Sequence, residues 1–320
     1  MKKAYFTLII FCLLFFSCKS KHHFDAVKIS GNVFGTTYNI TYLNTNVNYN
    51  KSIDSLFLLV NKSLSTYIPN SDISKINKGD STIVIDKFFS EVFHKSIKIH
   101  KETDGYFDPT VGNLVNSWGF GPKDEKKNLD SLQVQKMMLL VGLDKVSLLE
   151  GKIKKENLDI YLDFNSIAKG YGIDVIGRFF ESKNLKNYLI EIGGEIRASG
   201  QNAKSKNWKV AIDNPNTDGS RSFATTVTLE NESMASSGNY RKYRIAENGQ
   251  KYVHTVNPKT GFASESNLLS ATVYAPLDCA DVDAYATAFM AMGLEKTKVF
   301  LKNHPKIKVI LMYINKEGSL

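Results

Sequence analysis

The 320-residue sequence predicts an α+β fold, with mixed or antiparallel sheets flanked by helices. Three observations lead to it. Strand-like and helix-like segments interleave without the strict βαβ rhythm of a doubly wound sheet. Strand-like segments adjoin across glycine turns, at 27–43 and again at 187–199, as antiparallel hairpins do. Behind an N-terminal leader roughly 300 residues remain, enough to bury a large core as one big domain or two tightly joined lobes.

The leader comes first. Lys2 and Lys3 give a basic start, and Tyr5 to Phe16 form an apolar run as long as a signal-peptide core and too short to cross a membrane. The run ends at Phe15-Phe16-Ser17-Cys18, a small residue before Cys that resembles the bacterial lipobox. On this reading residues 1–17 are a lipoprotein signal peptide, Cys18 is diacylated and becomes the N-terminus, 18–26 form a polar tether, and 27–320 form the working domain. An ordinary secretory leader or a signal anchor, with Cys18 incidental, is the alternative. The place of Cys18 at the end of the apolar run favours lipidation. The protein is then expected to be exported and membrane-anchored, facing the periplasm, from a membrane left unassigned.

Residues 27–43 alternate around a glycine and predict two strands or a hairpin. Ile53, Leu56, Phe57, Val60 and Leu64 have helical spacing, as do Phe88 to Ile99 and Leu132 to Leu143. Residues 145–162 look like a β-meander. Ser166 to Ser182 predict a helix opening at a Ser cap, with Ile167, Tyr171, Val175 and Phe179 on one face. Strands are expected at 187–192, 195–199, 207–212, 222–230, 240–246 and 251–256. A strand at 269–275, helices at 278–291 and 295–303, and a strand at 307–314 close the chain.

With 42% hydrophobic and 23% charged residues the composition is that of a globular protein. After removal of the leader only Cys18 and Cys279 remain, so no disulfide framework supports the fold. The net charge of +9 is spread over scattered lysines, which argues against nucleic acid and suits anionic lipid or an anionic ligand.

Several segments carry chemistry. In CADVDAYATAFMAMG, Asp283 and Thr287 are four apart on a predicted helix and share a face. A carboxylate and a hydroxyl so placed can hold Mg2+, which takes oxygen ligands and leaves room for phosphate. The alternative is that Asp281 and Asp283 merely cap the helix and favour its dipole. In DFNSIAKG, a Ser-led helix start offers amides to an anion, Lys169 can face a phosphate, and Asp163 can accept from a ligand. Here the alternative is a plain N-cap at Ser166 and a solvated Lys169. Gly193-Gly194 in EIGGEIRASG permits a turn or close backbone approach and is not a Rossmann pattern. TDGYFDPTVG joins an Asp104-Gly105 turn to a helix start with Pro109 at its first position. His254, between Val253 and Thr255 on a predicted strand, is either a satisfied polar residue or a base near neutral pH.

Together with FGTTYNI at 34–40 and STYIPNSDISKIN at 65–77, these segments resemble, in order and over about residues 31–292, the ApbE-type flavin transferases. The resemblance implies a T-fold-like α+β architecture. It also implies an enzyme that splits FAD and attaches FMN to a Ser or Thr of an exported protein, releasing AMP with Mg2+. The metal ligands then fall on Asp283, Thr287 and the backbone carbonyl of Ser166. FAD contacts fall on Phe34 (Met in the common family form), Tyr67, Tyr106, Phe107, Asp108, Asp163 and Lys169. His254 lies beside the phosphate as the catalytic base. Family acceptors include flavin-bearing subunits of sodium-pumping NADH:quinone reductases (Nqr) and of Rnf-type complexes. Two rival functions use the same resemblance: a Mg2+-dependent FAD pyrophosphatase, and a non-enzymatic flavin-binding lipoprotein. The joint presence of His254 and the Asp283/Thr287 pair argues against binding alone.

Overall fold

In chain order the elements are β1 (Val27–Val33), β2 (Thr36–Tyr42), α1 (Asn50–Leu64), α2 (Asp72–Asn77), α3 (Lys87–Glu102), α4 (Gly112–Ser117), α5 (Ser131–Met138), β3 (Val146–Leu149), β4 (Lys152–Lys155), α6 (Ala168–Ser182), β5 (Tyr188–Ile192), β6 (Glu195–Ser199), β7 (Trp208–Asp213), β8 (Phe223–Leu229), β9 (Ser233–Gly238), β10 (Tyr243–Ile245), β11 (Lys251–Val253), β12 (Leu268–Ala275), α7 (Cys279–Lys302) and β13 (Lys308–Tyr313). They are seen in a computed structural model that describes residues 26–122, 129–216, 220, 222–239, 243–245, 251–263, 266–318 and 320. Cys18, the signal peptide and the tether up to residue 25 lie outside the described residues.

Seven strands form the central sheet in the order β1-β2-β5-β6-β9-β12-β13, and every neighbouring pair is antiparallel. The sheet predicted as mixed or antiparallel is therefore antiparallel. Period-two alternation explains its buried face. Tyr38, Ile40 and Tyr42 of β2 lie opposite Ile192, Ile190 and Tyr188 of β5, and all six are buried. Each fully buried Ile contributes about 2 kcal/mol of transfer free energy. Helices α6 and α7 cover this face, with α3 packed on α7 and α1 on α6. The β7–β8 hairpin covers the other face, where Trp208, Val210 and Leu229 pack with Ile196, Met234 and Met312. A separate small core joins Leu114 of α4, Trp118 just past its end and Val134 of α5 to Tyr252, Val256 and Ala263.

The two helices expected at 278–291 and 295–303 are halves of α7, broken at Gly293 with φ 75°. The meander at 145–162 is the β3–β4 hairpin and ends at Lys155. The helix expected over 132–143 ends at Met138, and the helix expected from Pro109 begins only at Gly112. Strand β9 was not legible, because SMASSG has no apolar alternation; its small residues let α7 pack closely. Likewise the helix expected to open at a Ser166 cap starts at Ala168, with Ile167 at the cap position and no side-chain cap bond.

Candidate active site

The site assembles where the first turn of α6 meets the second turn of α7. Two glycines make the approach possible. A Cβ on Gly170 would lie 2.4 Å from the Cys279 carbonyl oxygen, so α7 reaches α6 only because residue 170 has no side chain. A Cβ on Gly172 would lie 2.4 Å from the Phe34 ring. Phe34 and Gly35 form the β1–β2 turn with φ 51° and 75°, both left-handed as a two-residue hairpin needs. That conformation strains a Phe, and the strain is offset by its ring packing over Gly172 and edge-on to Phe57 at 5.5 Å.

Asp283 is 4% exposed, and its Oδ2 accepts from the Gly170 amide at 3.1 Å. Thr287, one turn along the same face, has its Oγ1 3.3 Å from Ser237 Oγ of β9. Asp283 is no helix cap. The cap of α7 comes from Asp174, a fully buried residue of α6, which accepts from the Cys279 and Ala280 amides at 2.8 Å each. Asp281 pairs instead with Lys95 at 2.9 Å.

Lys169 donates to Glu195 Oε1 at 2.8 Å. Glu195 follows the Gly193-Gly194 turn, whose φ values of 62° and 106° are open to glycine, and Gly193 packs on Thr36 beside the β1–β2 turn. Burial pushes Glu195 up to about 7, against the pull of Lys169 and with the added push of Asp283. Asp283 is raised by its own burial against the charge of Lys169 and the Gly170 amide. Burial lowers the Lys169 ammonium, but Glu195 and then Asp283 more than offset this and hold it above its ordinary value.

Lys169 thus pairs with Glu195 and feels the charge of Asp283 as well, and among the described residues Glu195 Oε2 has no hydrogen-bond partner. This excess of negative charge and oxygen donors fits a hard divalent cation. Among the described residues no three His, Cys, Asp or Glu side chains gather as a metal cage. Mg2+ needs no such cage, since it takes few protein oxygens when phosphates and water complete its shell.

The other predicted residues lie on segments tied to one another by hydrogen bonds and packing. Ser166 lies in the loop leading into α6. In the same loop Asp163 Oδ1 accepts from the Asn165 amide at 2.8 Å, and Asn165 Nδ2 donates to Thr66 Oγ1 at 3.2 Å. That bond brings the 65–67 segment to the loop. Tyr67 is 56% exposed, and its phenol is raised by burial and then by the Asp163 charge. Asp163 also donates its amide to the Pro109 carbonyl at 2.7 Å, tying in the TDGYFDPTVG segment. Within that segment Phe107 lies in the main core. The Asp108 carboxylate is engaged by Thr110 N and Oγ1 at 2.8 and 2.6 Å and by Leu143 N at 3.2 Å. Tyr106 bonds Lys296 through its hydroxyl, with Lys259 Nζ 5.8 Å from its ring centre.

His254 was expected within a strand, but β11 ends at Val253 and His254 sits half-buried at the bend that follows. Its segment is fixed on both sides. Tyr252 stacks on Trp118 at 4.7 Å, and Trp118 Nε1 donates to the Gly261 carbonyl at 2.9 Å. Thr255 donates to Asn239 at 3.0 Å, and Asn239 follows the end of β9, the strand whose Ser237 touches Thr287. Asn257 Nδ2 reaches the Ala291 carbonyl, one turn beyond Thr287 on α7, at 3.3 Å.

Sequence reasoning missed Glu195, Asp174 and Ser237. Asp174 carried a signal, an acid amid the apolar residues of YGIDVIG; Glu195 and Ser237 carried none strong enough to find them.

The description ApbE family belongs to the family model that matches residues 34–311. The FAD:protein FMN transferase of Haemophilus influenzae is 35% identical over 326 aligned positions, covering 97% of this chain and 94% of that protein. The solved structure of the flavin transferase ApbE from Vibrio cholerae overlays with a TM-score of 0.82 at 30% identity, covering 92% of this chain and 96% of that one. The apo flavinyl transferase ApbE from Pseudomonas stutzeri overlays with a TM-score of 0.82 at 25% identity, covering 93% and 94%.

Proposed function

Because the chain belongs to the ApbE family, we propose that it moves the FMN part of FAD onto a Ser or Thr hydroxyl of an exported acceptor protein, with Mg2+, and releases AMP. The observation that carries this reading is the buried Asp283 carboxylate, fastened to the first turn of α6 and one turn from Thr287, with Lys169 beside it. Asp283, Thr287 and the Ser166 carbonyl are the groups that would hold Mg2+. When bound, the ion neutralises pyrophosphate charge and eases departure of AMP.

The chain's own residues supply the rest. Lys169 and the first-turn amides of α6 set positive charge against the phosphates. Phe34, Tyr67, Tyr106 and Asp163 border the FAD pocket, while Phe107 and Asp108 build the turn that carries Tyr106. A ring nitrogen of His254 takes the proton from the acceptor hydroxyl. The oxygen bonds to the FMN phosphorus as the bridging P–O bond to AMP breaks, and AMP leaves with that electron pair. Acceptors of the Nqr and Rnf type suit an exported enzyme. A diacyl anchor on Cys18 would hold it at the periplasmic face of a membrane; a fatty-acid probe that labels the wild type no better than Cys18→Ser would remove that part.

The test incubates the protein with FAD, Mg2+ and a purified acceptor of that kind. Flavin fluorescence on the acceptor in a denaturing gel, with AMP released in step, is the expected result. AMP without labelled acceptor would make the protein a pyrophosphatase, and FAD recovered intact would make it a flavin binder. His254→Ala should slow transfer by about 10²–10⁴-fold, roughly 3–5 kcal/mol of barrier, with FAD affinity within a few fold. Transfer at the full rate by this variant would show that His254 is a bystander.

A further inference from the structure

Glu195 is 3% exposed and opens β6 directly after the Gly193-Gly194 turn. Its two oxygens differ. Oε1 accepts from Lys169 at 2.8 Å, whereas Oε2 is buried with no hydrogen-bond partner among the described residues. A buried carboxylate oxygen that has given up water and found no donor is costly, and in a native structure it calls for an explanation. Its position supplies one. Lys169, which binds Glu195, and Gly170, whose amide binds Asp283 at 3.1 Å, are consecutive residues of α6. The two carboxylates are therefore anchored to one helical turn, where Lys169 bonds Glu195 and feels the charge of Asp283. What remains unmatched is one negative charge and one acceptor oxygen. A water on a divalent cation matches both, since it carries donated positive charge and points its protons outward.

We propose that Glu195 belongs to the divalent-cation site, with Oε2 accepting a hydrogen bond from a water on the ion that Asp283 binds directly. The proposal rests on the reading of Asp283 and Thr287 as cation ligands. It accounts for Glu195 without making it a direct ligand, because Mg2+ keeps several of its waters. It also gives the carboxylate two tasks, one per oxygen: holding Lys169 and orienting the hydrated ion. Partners that orient a metal's ligands in this way typically contribute about 10–100-fold in metal affinity. The competing account makes Glu195 only the counter-ion of Lys169.

Mn2+ binding to the purified protein in the presence of FAD, followed by the loss of its free electron-paramagnetic-resonance signal against FAD and Mn2+ alone, separates these accounts without reading turnover. Asp283→Asn should abolish uptake. Glu195→Gln should weaken it by at least tenfold. Because Glu195→Gln leaves the half-buried Lys169 without its partner and can impair folding, Lys169→Met and the double variant Lys169→Met/Glu195→Gln are measured beside it. The double variant should bind Mn2+ about tenfold more weakly than Lys169→Met alone. Equal affinity of those two variants, with uptake still dependent on Asp283, would overturn the role of Glu195 and leave the cation reading standing. Uptake by Asp283→Asn equal to wild type, or none by wild type, would sink the cation reading and this proposal with it.

Discussion

Two clusters of buried charge lie one turn apart on α7, and they are built to different ends. At the helix start, Asp174 takes two backbone amides and Arg197 at 2.6 Å. Asp278 takes Lys95, Arg178 and Arg197, each at 2.9 Å, and Asp281 shares Lys95. Each of these three carboxylates has a cation within bonding distance. One turn on, Lys169 bonds Glu195 and faces the charge of Asp283, and among the described residues an oxygen of Glu195 has no donor. Both regions are acid-rich and largely buried, so acidity and burial do not separate structure from chemistry here. Saturation does. The first cluster is closed and fastens α3, α6 and α7 together; the second is open by one charge and one oxygen.

Single substitutions that keep shape and remove charge test this contrast. In the open cluster, Asp283→Asn should lower FMN transfer by several kcal/mol, on the order of 10³-fold, with little change in melting temperature. In the closed cluster, Asp174→Asn should do the reverse. It weakens the cap of α7 while Arg197 keeps Asp278 and Glu181, which should cost up to about 2 kcal/mol of stability. Transfer per folded molecule should stay within a few fold. AMP release and thermal melting on both variants measure the four quantities. An Asp174→Asn protein that melts like wild type but no longer transfers FMN would dissolve the distinction.

The two clusters were not equally legible in the sequence. Asp283 and Thr287 stood out as an i, i+4 pair on one helix face, a local pattern. Spacing alone equally suits helix caps, and only the resemblance of the surrounding motif favoured a ligand pair. The strands β1, β2, β5 and β6 were legible from a local pattern too, since period-two alternation shows which face is buried. Glu195 was not. Its meaning depends on Lys169, 26 residues earlier in the chain, and on a helix start that folds against it. Asp174 caps a helix more than a hundred residues away, so a rule that seeks caps among the residues adjoining a helix looks to Asp278 and Asp281 instead. The side chain of Asp278, the local cap residue, makes no cap bond at all, because three cations hold it. Position 254 was legible as a residue type, while its place at the end of β11 depends on Trp118, whose stack on Tyr252 and bond to Gly261 come from a different part of the chain.

A smaller effect sharpens the comparison through pH. Burial raises the Asp278 carboxyl, but the hydrogen bond and charge of Lys95, with Arg178 and Arg197, more than offset this and hold it at about 2, below its ordinary 3.8. A carboxyl depressed in the folded state stabilises the fold above its unfolded pKa and loses that contribution as pH falls through the folded one. The drop from 3.8 to about 2 corresponds to about 2 kcal/mol at pH 6, trimmed by the partial exposure of the side chain. About half of it should remain near pH 3. Asp278→Asn removes the titration while Asp281 and Glu91 keep Lys95 and Arg178 partnered. Urea unfolding of both proteins at pH 6 and pH 3 should show a stability gap that narrows in acid, since the difference cancels the other carboxylates. A gap of equal size at both pH values would mean that Asp278 holds α7 through packing rather than charge. The closed cluster would then owe its closure to Arg197 and Asp174 alone.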